Sequence, residues 1–394
     1  MMHKHILIVT TLFGSLLVSC GDSEGKEKDT EESQGQEQVA ADTSATESSV
    51  VEPAVATPKD PALNEIAHIY AGLEVDSTSA LYTLTQTPEW QEYHNQITDT
   101  WNNYDTVQHD KVEDFREQWL PAEVRGGRDL LYPFAGADFL YADLFFPDAE
   151  NTYMFGLEPL GTIPKEEMLD KGYYNGVVRA TRDLLRLTYF RTNWMREDFK
   201  KNGVVPLLCY FIVHRGHDVS DVEFVKPDEH GNLVSVDPDS ATGARVEFID
   251  HRTNKVRNVI YFQGDISDAA LSKDLAMKQY IENLPQCNLY MKAASYICYH
   301  WQFDTICQTF VDHAELCLQE DSGAPLRYFP EANWDRKFFG TYVYPIPLFT
   351  DRIYRQKDEL KNAFANPDQV YELPFPLGYH SLAGTDNLTL AIRK

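Results

Sequence analysis

The chain has 394 residues, 43% of them hydrophobic and 12% aromatic, with 61 acidic against 35 basic side chains and a formal net charge of −26. That length accommodates one large domain or two small ones. A surface this acidic repels a polyanion, which sets nucleic acid aside as a partner, and it repels anionic lipid head groups, so any membrane affinity must come from somewhere other than basic patches.

The first residues supply such a source. His3, Lys4 and His5 precede an apolar run from Ile6 to Val18, too short to cross a bilayer, that ends in Leu17-Val18-Ser19-Cys20. A basic start, a short apolar segment and small residues before a cysteine resemble the bacterial lipobox, in which the leader is removed and the new N-terminal cysteine is acylated. The resemblance implies a signal peptide over 1–19, lipidation of Cys20, and a lipoprotein held at the outer membrane by its acyl chains. From Gly21 to Asp60 there is almost no large apolar residue, so 20–60 read as the lipidated cysteine followed by a disordered acidic tether. Its 40 or so flexible residues reach roughly 35 Å. Gly21-Asp22-Ser23-Glu24-Gly25-Lys26-Glu27 resembles the export signal of surface-displayed lipoproteins in Bacteroidota, which implies the cell surface, with the periplasmic face as the other placement. Residues 61–394 alone hold 50 acids against 31 bases, a net −19, so the charge belongs to the domain as well as to the tether.

The folded domain starts near Pro61. Apolar spacing predicts helices over Ala62–Gly72, Pro88–Asn103 and Lys111–Trp119. After Arg125-Gly126-Gly127-Arg128, the stretch from Tyr132 to Gly156 reads as a short strand, a helical turn or two, and a second strand. Tyr173, Val177, Ala180, Leu184 and Leu187 fall on one helical stripe. Val204–Val213 is apolar throughout and reads as a central strand, with Pro206 near its start. Val222–Lys226, Leu233–Val236, Arg245–Asp250 and Val256–Phe262, separated by turn residues, predict an antiparallel meander. Helix returns over Asp268–Glu282, and Asn288–Leu318, apolar on most faces, reads as a buried helix broken once. Short strands close the chain, the last at Asn387–Ile392. Helices and strands come in blocks, so the expected class is α+β: a mixed or antiparallel sheet with a β-meander, packed by helices, in a single large domain over 61–394.

Two stretches carry a second resemblance. Tyr132-Pro133-Phe134-Ala135-Gly136-Ala137-Asp138 with its partner Gly156-Leu157-Glu158-Pro159, and Asp321-Ser322-Gly323-Ala324-Pro325-Leu326-Arg327-Tyr328-Phe329, are similar to blocks in bacterial proteins of no known activity. The resemblance assigns no role to any residue.

Five features invite a chemical reading. In His214-Arg215-Gly216-His217-Asp218, two imidazoles three residues apart in a glycine-containing loop, with Asp218, Asp221 and Glu223 nearby, form a candidate site for a divalent metal and the basis for a metal-dependent hydrolase. An exposed polar loop explains the same letters. Arg179, Arg182 and Arg186 form a basic stripe able to take a phosphate, sulfate or carboxylate ligand, although Asp183 stands at pairing distance along the helix. His300 and Asp304 stand one turn apart as an acid–base pair, on what is also a polar helix face. Asp321-Ser322-Gly323 lacks the second carboxylate that an aspartic protease requires, and reads instead as a helix C-terminus with Gly323 as left-handed cap and Pro325 as stop. Trp90, Trp101, Trp194 and Trp334, in polar surroundings, are candidates for stacking on a sugar or other flat ligand.

Cys298, Cys307 and Cys317 sit on the stretch read as one helix, at spacings that do not bridge within it, so buried thiols with room for one disulfide are expected. No GxSxG, Walker, GxGxxG or HExxH motif is present. The composition therefore favours a tethered binding or interaction module for a glycan, a peptide or a partner protein, with the His214/His217 hydrolase as the competing class.

Overall fold

The fold opens on a cap. Asp60 accepts a hydrogen bond from the Leu63 amide at 3.0 Å, and Pro61, whose missing N–H costs nothing in a first turn, starts α1 (Pro61–Tyr70). Thr87 and Pro88 repeat the device for α2 (Pro88–Tyr104), which runs through a π-helical turn at Asp105–His109 into α3 (Asp110–Trp119). In this computed structural model residues 56–134, 136–165, 171–189, 203–346, 349, 358–381 and 383–394 are described. The leader, Cys20, nearly all of the tether and Trp194 lie outside them.

Beyond α3 the chain lays down β1 (Asp129–Pro133), α4 (Phe139–Phe145), β2 (Asn151–Gly156), α5 (Lys171–Leu187) and α6 (Val205–His214). Next come β3 (Asp218–Pro227), β4 (Leu233–Ser235), β5 (Gly243–Asp250), β6 (Lys255–Gln263), α7 (Leu275–Glu282) and β7 (Cys287–Met291). The chain ends with α8 (Asp304–His313), β8 (Ala314–Gln319), β9 (Trp334–Gly340), α9 (Asp358–Phe364), β10 (Val370–Tyr371) and β11 (Asn387–Arg393).

The strands join in one open sheet of eleven, ordered β10-β9-β11-β8-β7-β1-β2-β6-β5-β3-β4. Its five central strands, β8-β7-β1-β2-β6, are parallel. The expected meander forms one flank, with β4, β3, β5 and β6 paired antiparallel. On the other flank β11 runs antiparallel between β8 and β9. The sheet is mixed and the fold α+β.

Strand side chains alternate between two apolar layers. Leu130, Tyr132 and Tyr290 join the core beneath α1 to α6, whereas Leu131, Leu289 and Met291 join the core beneath α7 and α8. Among the described residues no helix is long and apolar enough to cross a membrane.

Two expectations are corrected here. Val204–Val213 is not a strand: Val205–His214 is helix α6, with Pro206 in its first turn and every residue from Val205 to Val213 buried. An element buried on all sides loses its periodicity, and an unbroken apolar run then fits helix and strand equally. Trp101 and Thr181 both donate to the Tyr210 hydroxyl, at 2.9 and 2.8 Å, which ties α2 and α5 to α6.

Asn288–Leu318 is not one broken helix either. It holds β7, two short 3₁₀ turns, α8 and β8. Parallel strands covered on both faces read as continuous apolar runs, which hid β7 and β8. The turns bring Cys298 and Cys307 to a Cα separation of 5.9 Å, and they form a disulfide. Cys209, Cys287 and Cys317 are free and buried, and burial raises the Cys209 and Cys287 thiols to about 12.

Candidate ligand-binding site

From β1 the chain passes to its neighbour β2, crosses to the far flank at β3 and returns through β5 to β6, with its helices on one face. It then returns to the far side of β1 and steps through β7 to β8 with helices on the other face. This reversal between β1 and β7 opens a crevice beyond their carboxyl ends, the place where open sheets with parallel strands receive ligands. A cavity of about 180 Å³ lies there. Its polar wall is Asp138, Glu158, Lys292 and Ser295, and its apolar wall includes Phe134, Leu157, Tyr189 and Tyr379.

Asp138 and Lys292 form the buried base. Their ion pair is 2.6 Å long, with side chains 3% and 1% exposed. Asp138 also caps α4, accepting from the Tyr141 amide at 3.3 Å, and takes the Tyr132 hydroxyl at 2.7 Å. The Lys292 ammonium donates to the Thr188 carbonyl and lies 3.7 Å from the centre of the Tyr141 ring. Burial pulls the Lys292 amine below its ordinary value, and the Asp138 charge and hydrogen bond oppose that shift. These additional contacts oppose the desolvation cost of the buried pair.

Glu158 follows β2. Leu157 donates its amide to Oε2 at 3.1 Å, and the Tyr261 hydroxyl fixes the Glu158 carbonyl at 2.8 Å. A Cβ at Gly156 would stand 2.6 Å from the Tyr261 hydroxyl and 2.7 Å from Glu158 Oε2, so only glycine leaves room for the carboxylate. Gly136, in the turn after β1 at φ +57°, has its Cβ direction 3.8 Å from the same carboxylate. The glycine turn after β1 and the acid after β2 therefore face one space.

The wall contributed by β7 is a contorted loop. Ala293, Ser295 and Tyr296 all have left-handed backbone, at φ 52°, 56° and 57°. Each such residue costs of order 1–3 kcal/mol and persists only where its surroundings impose it. The imposing segment follows β8. Glu320 Oε1 accepts from the Ala293 amide at 2.8 Å, Ser322 Oγ accepts from the Ala294 amide at 2.8 Å, and the Ser322 carbonyl accepts from the Tyr296 amide at 3.0 Å. Tyr296 donates its hydroxyl to Asp321, whose other oxygen stands 3.1 Å from His380 Nε2. Tyr379 closes the set: its hydroxyl lies 2.6 Å from Ser295 Oγ and donates to the Ala293 carbonyl at 2.9 Å.

The residues singled out in the sequence go elsewhere, with one exception. His214 ends α6; its Nε2 lies 2.7 Å from the Ala71 carbonyl and its ring stacks on Trp101 at 4.4 Å. Burial lowers its imidazole to about 3. His217 is enclosed with Asp143 and Asp250, each 3.5 Å away, while Asp218 pairs with Asn64 at 2.9 Å and His251 at 2.6 Å. The two imidazoles thus have separate partners, and no three His, Cys, Asp or Glu among the described residues are grouped to hold a metal.

Arg179, Arg182 and Arg186 lie on the exposed face of α5, and the last two border a groove against α2 beside Asp99 and Asn103. His300 and Asp304 are split between a 3₁₀ turn and the start of α8. Trp90, Trp101 and Trp334 are buried and serve packing.

The exception is Asp321-Ser322-Gly323. It does not cap a helix; it follows β8 and organises the crevice wall, with Gly323 packed on Gln319. The first of the blocks that carried the second resemblance lines this crevice, and Asp321 and Ser322 of the other hold its wall. Lys292 and Ser295 in the loop after β7, and Tyr379 and His380 in the turn before β11, had no local signal. Compared with known proteins, the chain matches no family model and no curated sequence.

Proposed function

We propose that this chain is a lipid-anchored lipoprotein whose domain binds a small molecule in the β1–β7 crevice, and that the ligand carries a vicinal diol and a flat ring, as a nucleoside does. One observation carries the reading: a glycine turn after β1 and a carboxylate after β2 meet at the point where strand order reverses. In doubly wound folds that pairing positions a ribose, with the acid accepting its hydroxyl protons. Glu158 takes that role here, and Phe134, Leu157, Tyr189 and Tyr379 offer surface for the ring.

Charge narrows the ligand further. Nucleotide-binding doubly wound folds place a phosphate at the helix following their first strand. Here the Asp138 carboxylate occupies that helix start and pairs with Lys292. A carboxylate already seated at that helix start disfavours a phosphate there.

The test is isothermal calorimetry on the full chain with adenosine, 2′,3′-dideoxyadenosine and free ribose. Adenosine is expected to bind and dideoxyadenosine to bind at least tenfold more weakly, with Glu158→Gln erasing that difference, since a lost charge-assisted hydrogen bond is worth about 1.5–3 kcal/mol. Binding of ribose as tight as adenosine would move the assignment to a simple sugar. Equal affinity for both nucleosides, or no heat with any of the three, would overturn it.

The anchor has its own test. In a bacterial host that processes lipoproteins, the chain is expected in the membrane fraction, and Cys20→Ser is expected to release it. Retention of that variant in the membrane would remove the lipid tether from the proposal.

A further inference from the structure

Glu320 has no place among the ligand contacts above, yet three segments of the crevice meet at its carboxylate. It is 1% exposed. Oε1 accepts from the Ala293 amide and from Ser322 Oγ, and Oε2 accepts from the Tyr379 amide at 3.4 Å. Gly378 packs so closely on Oε2 that a Cβ there would overlap it. Through the Ala293 amide the carboxyl group meets the left-handed loop, and through the Tyr379 amide it meets the segment whose ring contacts Ser295. Asp321 is the next residue, so two carboxylates lie side by side in the interior with one nearby imidazole, His380.

We propose that Glu320 is a positioning residue for the crevice, and that a proton on its carboxyl group holds the Ala293 and Tyr379 segments in place while loss of that proton loosens them. The reason is charge crowding. Burial raises the Glu320 carboxyl, and the adjacent Asp321 raises it further, to about 7; the Ser322 hydroxyl, the His380 charge and the Ala293 amide act in the opposite sense. The other ionisable groups that face it are Lys292, Tyr290 and Tyr296 from β7 and its loop, Tyr132 from β1, and Tyr379 beside His380. The tyrosines are all raised above their ordinary values, so they stay neutral near pH 7. Lys292 is already committed to Asp138.

A carboxyl raised in the folded loops binds its proton more tightly there than in an opened state. The stabilisation is therefore complete below about pH 4.5 and disappears as pH rises through about 7. Between pH 6 and pH 8 the closed arrangement of these loops weakens relative to the opened one by about tenfold.

Hydrogen exchange of the full chain at pH 6 and pH 8, corrected for intrinsic exchange chemistry, reads this directly in peptides covering residues 291–297 and 376–381. Protection there is expected to fall about tenfold at pH 8 while peptides from β6 keep theirs. Glu320→Gln, a neutral isostere, is expected to show the pH 6 protection at both values. His380→Asn removes a cation that favours ionisation and is expected to move the transition to higher pH. Unchanged protection in the native chain, or a pH dependence that survives Glu320→Gln, would overturn the proposal. Should Glu320→Gln fail to fold, the direction of the His380→Asn shift decides. The measurement uses no ligand, so its failure leaves the nucleoside reading intact, and the converse also holds.

Discussion

Asp143→Ala is expected to lower the unfolding free energy by about 3–5 kcal/mol, the scale set by uncovering a buried charge network from one side. Asp143 is fully buried on α4 and receives Arg215, Arg252 and Arg257, each at 2.9 Å. Burial alone would raise its carboxyl, but the hydrogen bond from His217 and the three guanidinium charges hold it well below the usual carboxylate range. Without it, Arg252 and Arg257 retain Asp250, at 3.0 and 3.1 Å, and the cluster keeps three cations against one anion. Arg252 is 37% exposed and can turn to water; Arg257, at 5%, cannot. Urea unfolding monitored by tryptophan fluorescence would give the loss as a lower midpoint at constant slope. A change under 1 kcal/mol would mean that water already screens the cluster.

The pH dependence of the native chain follows from the same shift. A depressed carboxyl contributes stability that is complete above the unfolded value and is lost as pH falls through the folded one. Asp143 therefore supports the fold throughout the neutral range and gives way only in strong acid, in the direction opposite to Glu320. This cluster joins α4 to the segment after α6 and to the β5–β6 hairpin, at the end of the sheet away from the crevice. His217, read in the sequence as a metal ligand, belongs to it.

What the sequence disclosed depended on how each element meets solvent. Half-exposed elements were legible: α1, α2, α3 and α5 bury one stripe, and β3 to β6 alternate, so their periods survive in the residue order. Elements covered on both sides were not. α6, β7 and β8 are apolar all round, which erases the difference between 3.6 and 2, and each was assigned the wrong state. The crevice follows the same division. Its glycine turn and acid were visible as unusual blocks, because close backbone approach leaves a local mark such as Gly156. Lys292, Glu320 and Tyr379 converge from positions up to 87 residues apart, through strand order alone. One disulfide among buried thiols was expected, but its pairing of Cys298 with Cys307 was hidden, because the bridge depends on turns between β7 and α8 that break the assumed helix.

Lys292→Met is expected to cost about 3 kcal/mol of stability, within the range for a buried pair that loses one partner. Asp138 would keep the Tyr132 hydroxyl and the Tyr141 amide, so its carboxylate retains two donors after the ammonium is gone. Asp138→Asn should cost a similar amount for a different reason, since the ammonium would keep only the Thr188 carbonyl and the Tyr141 ring as strong contacts. Combining the two changes removes both buried charges together, and the double variant is expected to be more stable than the sum of the single losses by roughly 2 kcal/mol. Thermal and urea unfolding of the four chains completes the cycle. Strict additivity would mean that the 2.6 Å pair contributes nothing beyond its separate contacts, and the compensated floor assigned to the crevice would go with it. The same four chains separate architecture from recognition. Lys292→Met leaves the Asp138 carboxylate without its cation, so it should tighten cationic ligands relative to neutral ones, whereas the double variant restores the native balance of charge. A stability loss with no change in that preference would place the pair in the scaffold rather than in the ligand's field.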